Sequence, residues 1–175
     1  MKTRKTSLVG KSLDDFLDIC DIHNVDSYRA EQIFNWIYKN KINDFESFKN
    51  IPKSFLNLLK EQHTIHPLIF VRSTKSDSRL TNKFLFKTQS GALIESVLMN
   101  EGSRTTLCLS TQVGCALDCK FCATAKMGFI DNLDSGEIVD QFLLISKMLS
   151  KPITNVVFMG MGEPFLNYSN VIKSA

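Results

Sequence analysis

The chain has little of what would carry it into a membrane or an oxidising compartment. None of its apolar runs approaches the roughly eighteen consecutive apolar residues of a membrane span. The basic start Met1-Lys-Thr-Arg-Lys5 lacks the apolar segment of a signal peptide. Both absences lead us to expect a cytosolic protein without a membrane partner. Histidine is scarce, and His23, His63 and His66 all lie well upstream of the crowded cysteines, which works against a histidine-completed zinc site. Internal repeats and low-complexity segments are missing too. The five cysteines are an odd number with three in one loop, which suits a reducing compartment better than a disulfide framework. Net charge is only +3, with 12 Lys and Arg against 9 Asp and Glu in residues 1–75 and 9 against 9 afterwards. The excess leans toward a polyanion on the first part of the chain, although an ordinary solvated surface accounts for the same charges.

What is present centres on Gly114-Cys-Ala-Leu-Asp-Cys-Lys-Phe-Cys122, which supplies the three thiols of Cys115, Cys119 and Cys122. A structural zinc site takes four protein ligands and an ordinary cubane cluster takes four cysteines. Three leave one iron free to hold a small molecule by its amine and carboxylate. That arrangement suits delivery of an electron into a bound sulfonium, which is radical S-adenosylmethionine (SAM) chemistry. Two other readings stay open at this point. Cys119-Lys-Phe-Cys122 alone has the form of a redox-active pair, and three cysteines with one distant histidine can hold zinc.

Taken in order, residues 1–11 have the composition of a frayed arm. Helical spacing follows from Ser12 (Leu13, Phe16, Leu17, Cys20), from Ser27 (Ala30, Ile33, Phe34, Ile37) and from Pro52 (Phe55, Leu58, Leu59). These three short helices form a helical domain over residues 1–66. The period then changes. Strands are expected from Ile69, over Asn82–Thr88, where Phe84 and Phe86 alternate with Lys83 and Lys87, and over Ala92–Met99. They form a β-meander over residues 67–103. Thr105–Thr111 is a further strand leading into the cysteine loop. A helix capped at Asp134 or Ser135 and stopped by Pro152 follows, and Asn155–Met159 is an apolar strand of the kind buried on both faces of a parallel sheet. It ends in Gly160-Met-Gly-Glu-Pro164. Strand, loop, helix and strand make one βαβ unit, with both loops at carboxyl ends of strands, where α/β folds place their sites. Two parallel strands cannot close a barrel, so residues 104–175 are expected to be the start of a longer domain. The expected class is α/β.

Three segments carry a resemblance to a known family: Tyr28-Arg-Ala-Glu-Gln-Ile-Phe-Asn-Trp-Ile-Tyr38, residues 107–129 around the cysteines, and Val156-Val-Phe-Met-Gly-Met-Gly-Glu-Pro164. On these the chain resembles the N-terminal half of the radical SAM adenine-C2 RNA methyltransferases, the RlmN/Cfr family, and more closely its housekeeping members that act on 23S rRNA and tRNA. The resemblance implies a helical RNA-contacting domain followed by the start of a partial (β/α)6 radical SAM barrel. It also implies a [4Fe-4S] cluster on Cys115, Cys119 and Cys122, SAM contacts at Gly162 and Glu163, a reductant such as flavodoxin or ferredoxin, and a monomeric full-length enzyme. Glu95 matches the family's proton acceptor, whereas by pattern alone it is an outward-facing strand residue. Cys108 matches a cysteine that can pair with the methyl-carrying cysteine, whereas by pattern it is a small buried hydrophobe. Gly-Met-Gly-Glu-Pro alone is a plain strand-to-helix turn. Cys20 matches nothing functional. In the family, a cysteine near the C-terminus accepts a methyl group from one SAM before a second SAM is cleaved. None of the five cysteines here matches it, so this chain is expected to be inactive by itself.

Overall fold

A computed structural model describes residues 5–78, 80–117 and 119–175. Residues 1–4 of the basic start, and Asp118 in the cysteine loop, lie outside the described residues. The chain divides into two compact units, Met1–Pro67 and Leu68–Ala175. Among the described residues no helix is long and apolar enough to cross a membrane.

The first unit contains β1 (Thr6–Ser7), α1 (Leu13–Ile22), α2 (Tyr28–Phe34), α3 (Lys53–Gln62) and β2 (His63–Thr64), with one π-helical turn, Asn35–Lys39, continuing α2. Ser12 starts α1 with a reciprocal cap. Its hydroxyl accepts from the Asp15 N–H at 3.1 Å, and the Asp15 carboxylate accepts from the Ser12 N–H at 2.7 Å. Phe16, Cys20, Ala30, Ile33, Phe55 and Leu59 form the interior. The expectation of a frayed arm over residues 1–11 fails from Lys5 onward. Thr6 and Ser7 pair in parallel with His63 and Thr64, and Leu8 and Val9 are buried. Tyr38 locks the same segment, accepting from the Gly10 N–H and donating to the Lys11 carbonyl, each at 2.8 Å. The polar composition concealed two apolar anchors, Leu8 and Val9, whose burial outweighs the entropy of ordering the arm.

The second unit is mixed α/β. Its main sheet has the order β3 (Ile69–Lys75), β4 (Thr81–Lys87), β5 (Leu93–Glu101), β6 (Arg104–Cys108) and β9 (Asn155–Val157). The first four strands run antiparallel to their neighbours, and β6 and β9 are parallel. The crossover between them contains β7 (Gln112–Gly114), β8 (Phe129–Asn132) and α4 (Ser135–Met148); α5 (Tyr168–Ser174) follows β9. Asp134 and Glu137 cap α4 reciprocally.

Register gives the main sheet two unlike faces. Phe84 lies opposite Ser96, Phe86 opposite Ile94, and Leu98 opposite Leu107. These apolar residues share one core with Ile138 and Ile145 of α4. On the other face Lys83 lies opposite Val97, Val97 opposite Cys108, and Cys108 opposite Val157, while Leu85 lies opposite Glu95. A strand alternates its side chains between faces, so the Phe and Lys alternation in β4 predetermines this division.

Two strand expectations need correction. Thr105–Thr111 is not one strand: it leaves the main sheet after Cys108 and re-forms as β7, which pairs with β8 and closes the base of the cysteine loop. Asn155–Met159 is not buried on both faces. β9 ends at Val157, lies at the sheet edge, and leaves Val156 42% and Met159 78% exposed. Apolar composition identified the strand, but a composition pattern carries no information about its place in the sheet.

Candidate functional site

The cysteine loop springs from a tight neck. Gly114 has φ +73°, and a Cβ built on it would stand 1.8 Å from the Gly128 carbonyl oxygen, so only glycine fits. The Cys115 N–H donates to that same oxygen at 3.0 Å. Within the loop the Cys119 N–H donates to the Leu117 carbonyl and the Cys122 N–H to the Cys119 carbonyl, both at 2.9 Å. The Leu117 N–H points at the Cys115 Sγ, 3.4 Å away. Backbone N–H groups of Ala125 and Thr124, with the Thr124 side chain, hold the Cys122 thiol below its ordinary range. Phe121 is 94% exposed and takes no part in a core.

All five cysteines are free thiols, and Cys115, Cys119 and Cys122 are half-buried. Among the described residues, no three Cys, His, Asp or Glu side chains converge closely enough for a single metal ion. Two of the three histidines are hydrogen-bonded inside the helical unit, His63 with the Thr6 hydroxyl at 2.7 Å and His66 with the Ile42 carbonyl at 3.0 Å. The donor set nevertheless fits an iron-sulfur cluster. A cubane distributes its thiolates over separate irons and does not need them to converge on one point, and a thiol eased toward thiolate is the form that binds.

The second loop follows β9. The Gly160 N–H donates to the Leu109 carbonyl at 3.0 Å, and the Met161 carbonyl accepts from the Thr111 and Gln112 N–H groups at 2.9 and 3.1 Å. A Cβ on Gly160 would meet Leu109 and Ser110 backbone atoms at 2.7 Å, so this turn is pressed against the segment entering the cysteine loop. Gly162 has φ +95°, a conformation that favours glycine. Glu163 caps the following turn, its Oε1 accepting from the Phe165 N–H at 3.0 Å. Its side chain therefore has a local structural task as well as the ligand role expected for it.

Glu95 and Cys108 lie on the open face of the main sheet. The Glu95 carboxylate is 39% exposed and 3.0 Å from the Lys83 ammonium. A cleft of about 460 Å³ brings Glu95 together with Arg72 and Lys83 of the sheet, Thr124 and Met127 beyond the cysteines, and Met161 of the glycine turn. Cys108 is 7% exposed; burial pushes its thiol up, against a smaller opposing pull from the Met159 backbone. It shares a sheet face with Glu95 and does not line the cleft. Cys20 is fully buried in the helical unit.

Several residues that hold the site together were missed in the sequence. Ser110 donates its hydroxyl to the Glu95 carbonyl at 2.5 Å and accepts from the Met161 N–H at 2.8 Å. Gln141 of α4 accepts from the Ser110 N–H at 2.9 Å and from the Ser96 hydroxyl at 2.7 Å, and returns a bond to the Ser110 carbonyl at 2.9 Å. Asn167 donates to the Thr111 and Leu133 carbonyls, both at 2.7 Å. The signal available was the polar run Ser110-Thr111-Gln112 at the end of an apolar strand. Buried polar groups there need partners.

Known proteins resemble this chain in sequence and fold. The family described as ribosomal RNA large subunit methyltransferase N-terminal domain matches residues 7–65. A solved radical SAM methyltransferase from Sphaerobacter thermophilus superposes with a TM-score of 0.91 at 38% identity, over 97% of this chain and 50% of that one. The fold is thus one found in radical SAM methyltransferases. A Thermotoga neapolitana protein described as "Probable dual-specificity RNA methyltransferase RlmN" is 44% identical over 96% of this chain and 49% of its own length. A Clostridium novyi protein of the same description is 42% identical over 95% of this chain and 49% of its own. The chain is similar to RlmN-family proteins over nearly all of its length, as the three segments indicated, and it spans about half the length of the curated relatives it matches.

Proposed function

We propose that this chain carries the cofactor-binding half of an RNA methyltransferase that modifies C2 of adenine in 23S rRNA and tRNA. The observation that carries the reading is the cleft in which Glu95, the exit of the cysteine loop and Met161 of the glycine turn meet. Cys115, Cys119 and Cys122 would hold a [4Fe-4S] cluster. When bound, that cluster supplies the electron that cleaves SAM, chemistry that no side chain can perform. Gly162 lets the backbone approach SAM closely, and the Glu163 carboxylate accepts from its ammonium group.

Glu95 accepts the C2 proton in the last step. Its position at a half-exposed cleft edge suits proton exchange with solvent, and Lys83 at 3.0 Å keeps the carboxylate oriented. Cys108 pairs with a methyl-carrying cysteine outside this chain. Burial raises its thiol and so keeps it in the protonated form. The helical unit contacts RNA, a reading supported by its match to the N-terminal domain of a ribosomal RNA methyltransferase family and not by charge, since residues 1–67 carry 10 Lys and Arg against 9 Asp and Glu. The second unit is the beginning of a partial (β/α)6 barrel; the complete enzyme is cytoplasmic and monomeric and takes its electron from a flavodoxin- or ferredoxin-like protein. The 175-residue chain alone is inactive.

Anaerobic reconstitution with iron and sulfide tests the reading. About four irons per chain and a brown charge-transfer absorption support it, whereas colourless protein that takes up one zinc overturns it. Adenine C2 methylation by the chain extended with the remaining length of a relative, and none by the chain alone, separates the two halves of the claim.

A further inference from the structure

Gln112 lies in β7, 1% exposed, between the two loops of the site. Its Oε1 accepts from the Glu163 N–H at 2.9 Å, and its Nε2 donates to the Asn132 Oδ1 at 2.8 Å. A backbone N–H can only donate, so the amide orientation is fixed: oxygen toward Glu163 and nitrogen toward Asn132. Asn132 is the β8 residue paired with Gln112, at the base of the hairpin that bears the cysteine loop. The Gln112 N–H adds a bond to the Met161 carbonyl at 3.1 Å. A Cβ on Gly162 would stand 2.5 Å from the Gln112 Cβ, so the glycine turn rests directly on this side chain.

We propose that Gln112 is a positioning residue that sets the Glu163 main chain, and through it the Glu163 carboxylate, at a fixed place relative to the cysteine-loop hairpin. The inference rests on the reading of Glu163 as a SAM contact. One buried amide uses both ends to join the turn that recognises the cofactor's ammonium to the hairpin that carries the thiols. Removing it leaves the part-buried Glu163 N–H without its acceptor and frees the turn to move. The three thiols are untouched by that change.

The test uses the chain extended by the remaining length of a relative, with three readouts: iron per chain, SAM affinity by equilibrium dialysis, and hydrogen exchange at the Glu163 amide. Gln112→Met keeps the length of the side chain and removes both bonds. Iron content should stay at the unmutated level, the Glu163 amide should exchange faster, and SAM affinity should fall about tenfold. In a Glu163→Ala background the same change should cost nothing further, because Gln112 acts through Glu163. Fully additive losses, or unchanged affinity in Gln112→Met, overturn the inference and leave the site reading standing. Unchanged affinity in Glu163→Ala overturns the site reading, and the Gln112 inference with it. If Gln112→Met does not fold, Asn132→Ala removes only the anchor of Nε2; a several-fold affinity loss supports the inference and none overturns it.

Discussion

The two faces of the five-stranded sheet are built from the same strands and serve opposite ends. One is closed: Phe84, Phe86, Ile94, Leu98 and Leu107 pack with α4 residues. The other carries Lys83, Glu95 and Cys108, and part of it lines the cleft. The closed face holds register, and register decides which residues appear on the open one. A slip of one residue in β5 would send Glu95 into the core and bring Ser96 to the cleft. Stability and chemistry are therefore written in alternate letters of one sequence.

That division can be broken from either side, and the largest effect is expected at the loop beside the open face. Cys119→Ala should abolish cluster loading, measured as iron per chain after anaerobic reconstitution, because three thiolates have no spare; Cys20→Ala, in the core of the helical unit, should not. Iron content unchanged in Cys119→Ala would remove the ligand assignment. Next comes Glu95→Gln in the extended chain. Stability and SAM cleavage should be kept while release of methylated RNA falls by about a hundredfold or more, since an amide accepts no proton. A covalent RNA-protein adduct on a denaturing gel is the expected signature, and normal turnover would take Glu95 out of the site.

On the closed face the pattern should reverse. Phe86→Ala removes a fully buried ring and should cost about 3–5 kcal/mol in urea unfolding, while the folded fraction still loads iron. A smaller effect is expected from Cys108. Burial raises its folded pKa above the ordinary value of 9.0, so at high pH the unfolded thiol ionises first. The unfolded state then binds fewer protons, and stability is lost as pH rises from that ordinary value toward the folded one. The urea midpoint should fall less steeply over this window in Cys108→Ala than in the unmutated chain; equal slopes would refute the assignment. The smallest effect is Lys83→Ala. With both partners half-exposed, loss of the ion pair should change stability by less than about 1 kcal/mol.

Much of this was legible in the sequence because period and punctuation carry it. Ser12 and Asp134 announced α1 and α4, the alternation around Phe84 and Phe86 announced β4, and the cysteine spacing announced the loop. The pieces that escaped were either too short to show a period or fixed only by partners distant in sequence. β7 and β8 are three and four residues long and exist because they pair with each other across the loop. β1 is two residues, held by β2 more than fifty positions later. Gln112, Ser110 and Gln141 looked like ordinary polar residues, since a side chain's burial and its hydrogen-bond partners are properties of the folded chain. For Glu95, pattern alone said outward-facing, and that is where it lies; the cleft beside it becomes visible only when the cysteine loop and the glycine turn are assembled.

The neck at Gly114 and Gly128 has a consequence in chain entropy. The cysteine loop begins and ends at a hydrogen bond between Cys115 and Gly128, closed by pairing of β7 with β8. Bringing the loop ends together is thus accomplished when the domain folds, and a metal arriving later has only the loop interior left to order. A zinc finger, whose ligands are brought together only on binding, unfolds when a chelator strips it. Here the same treatment should return the protein to a folded, reloadable thiol form, with cofactor loading and folding as separable events.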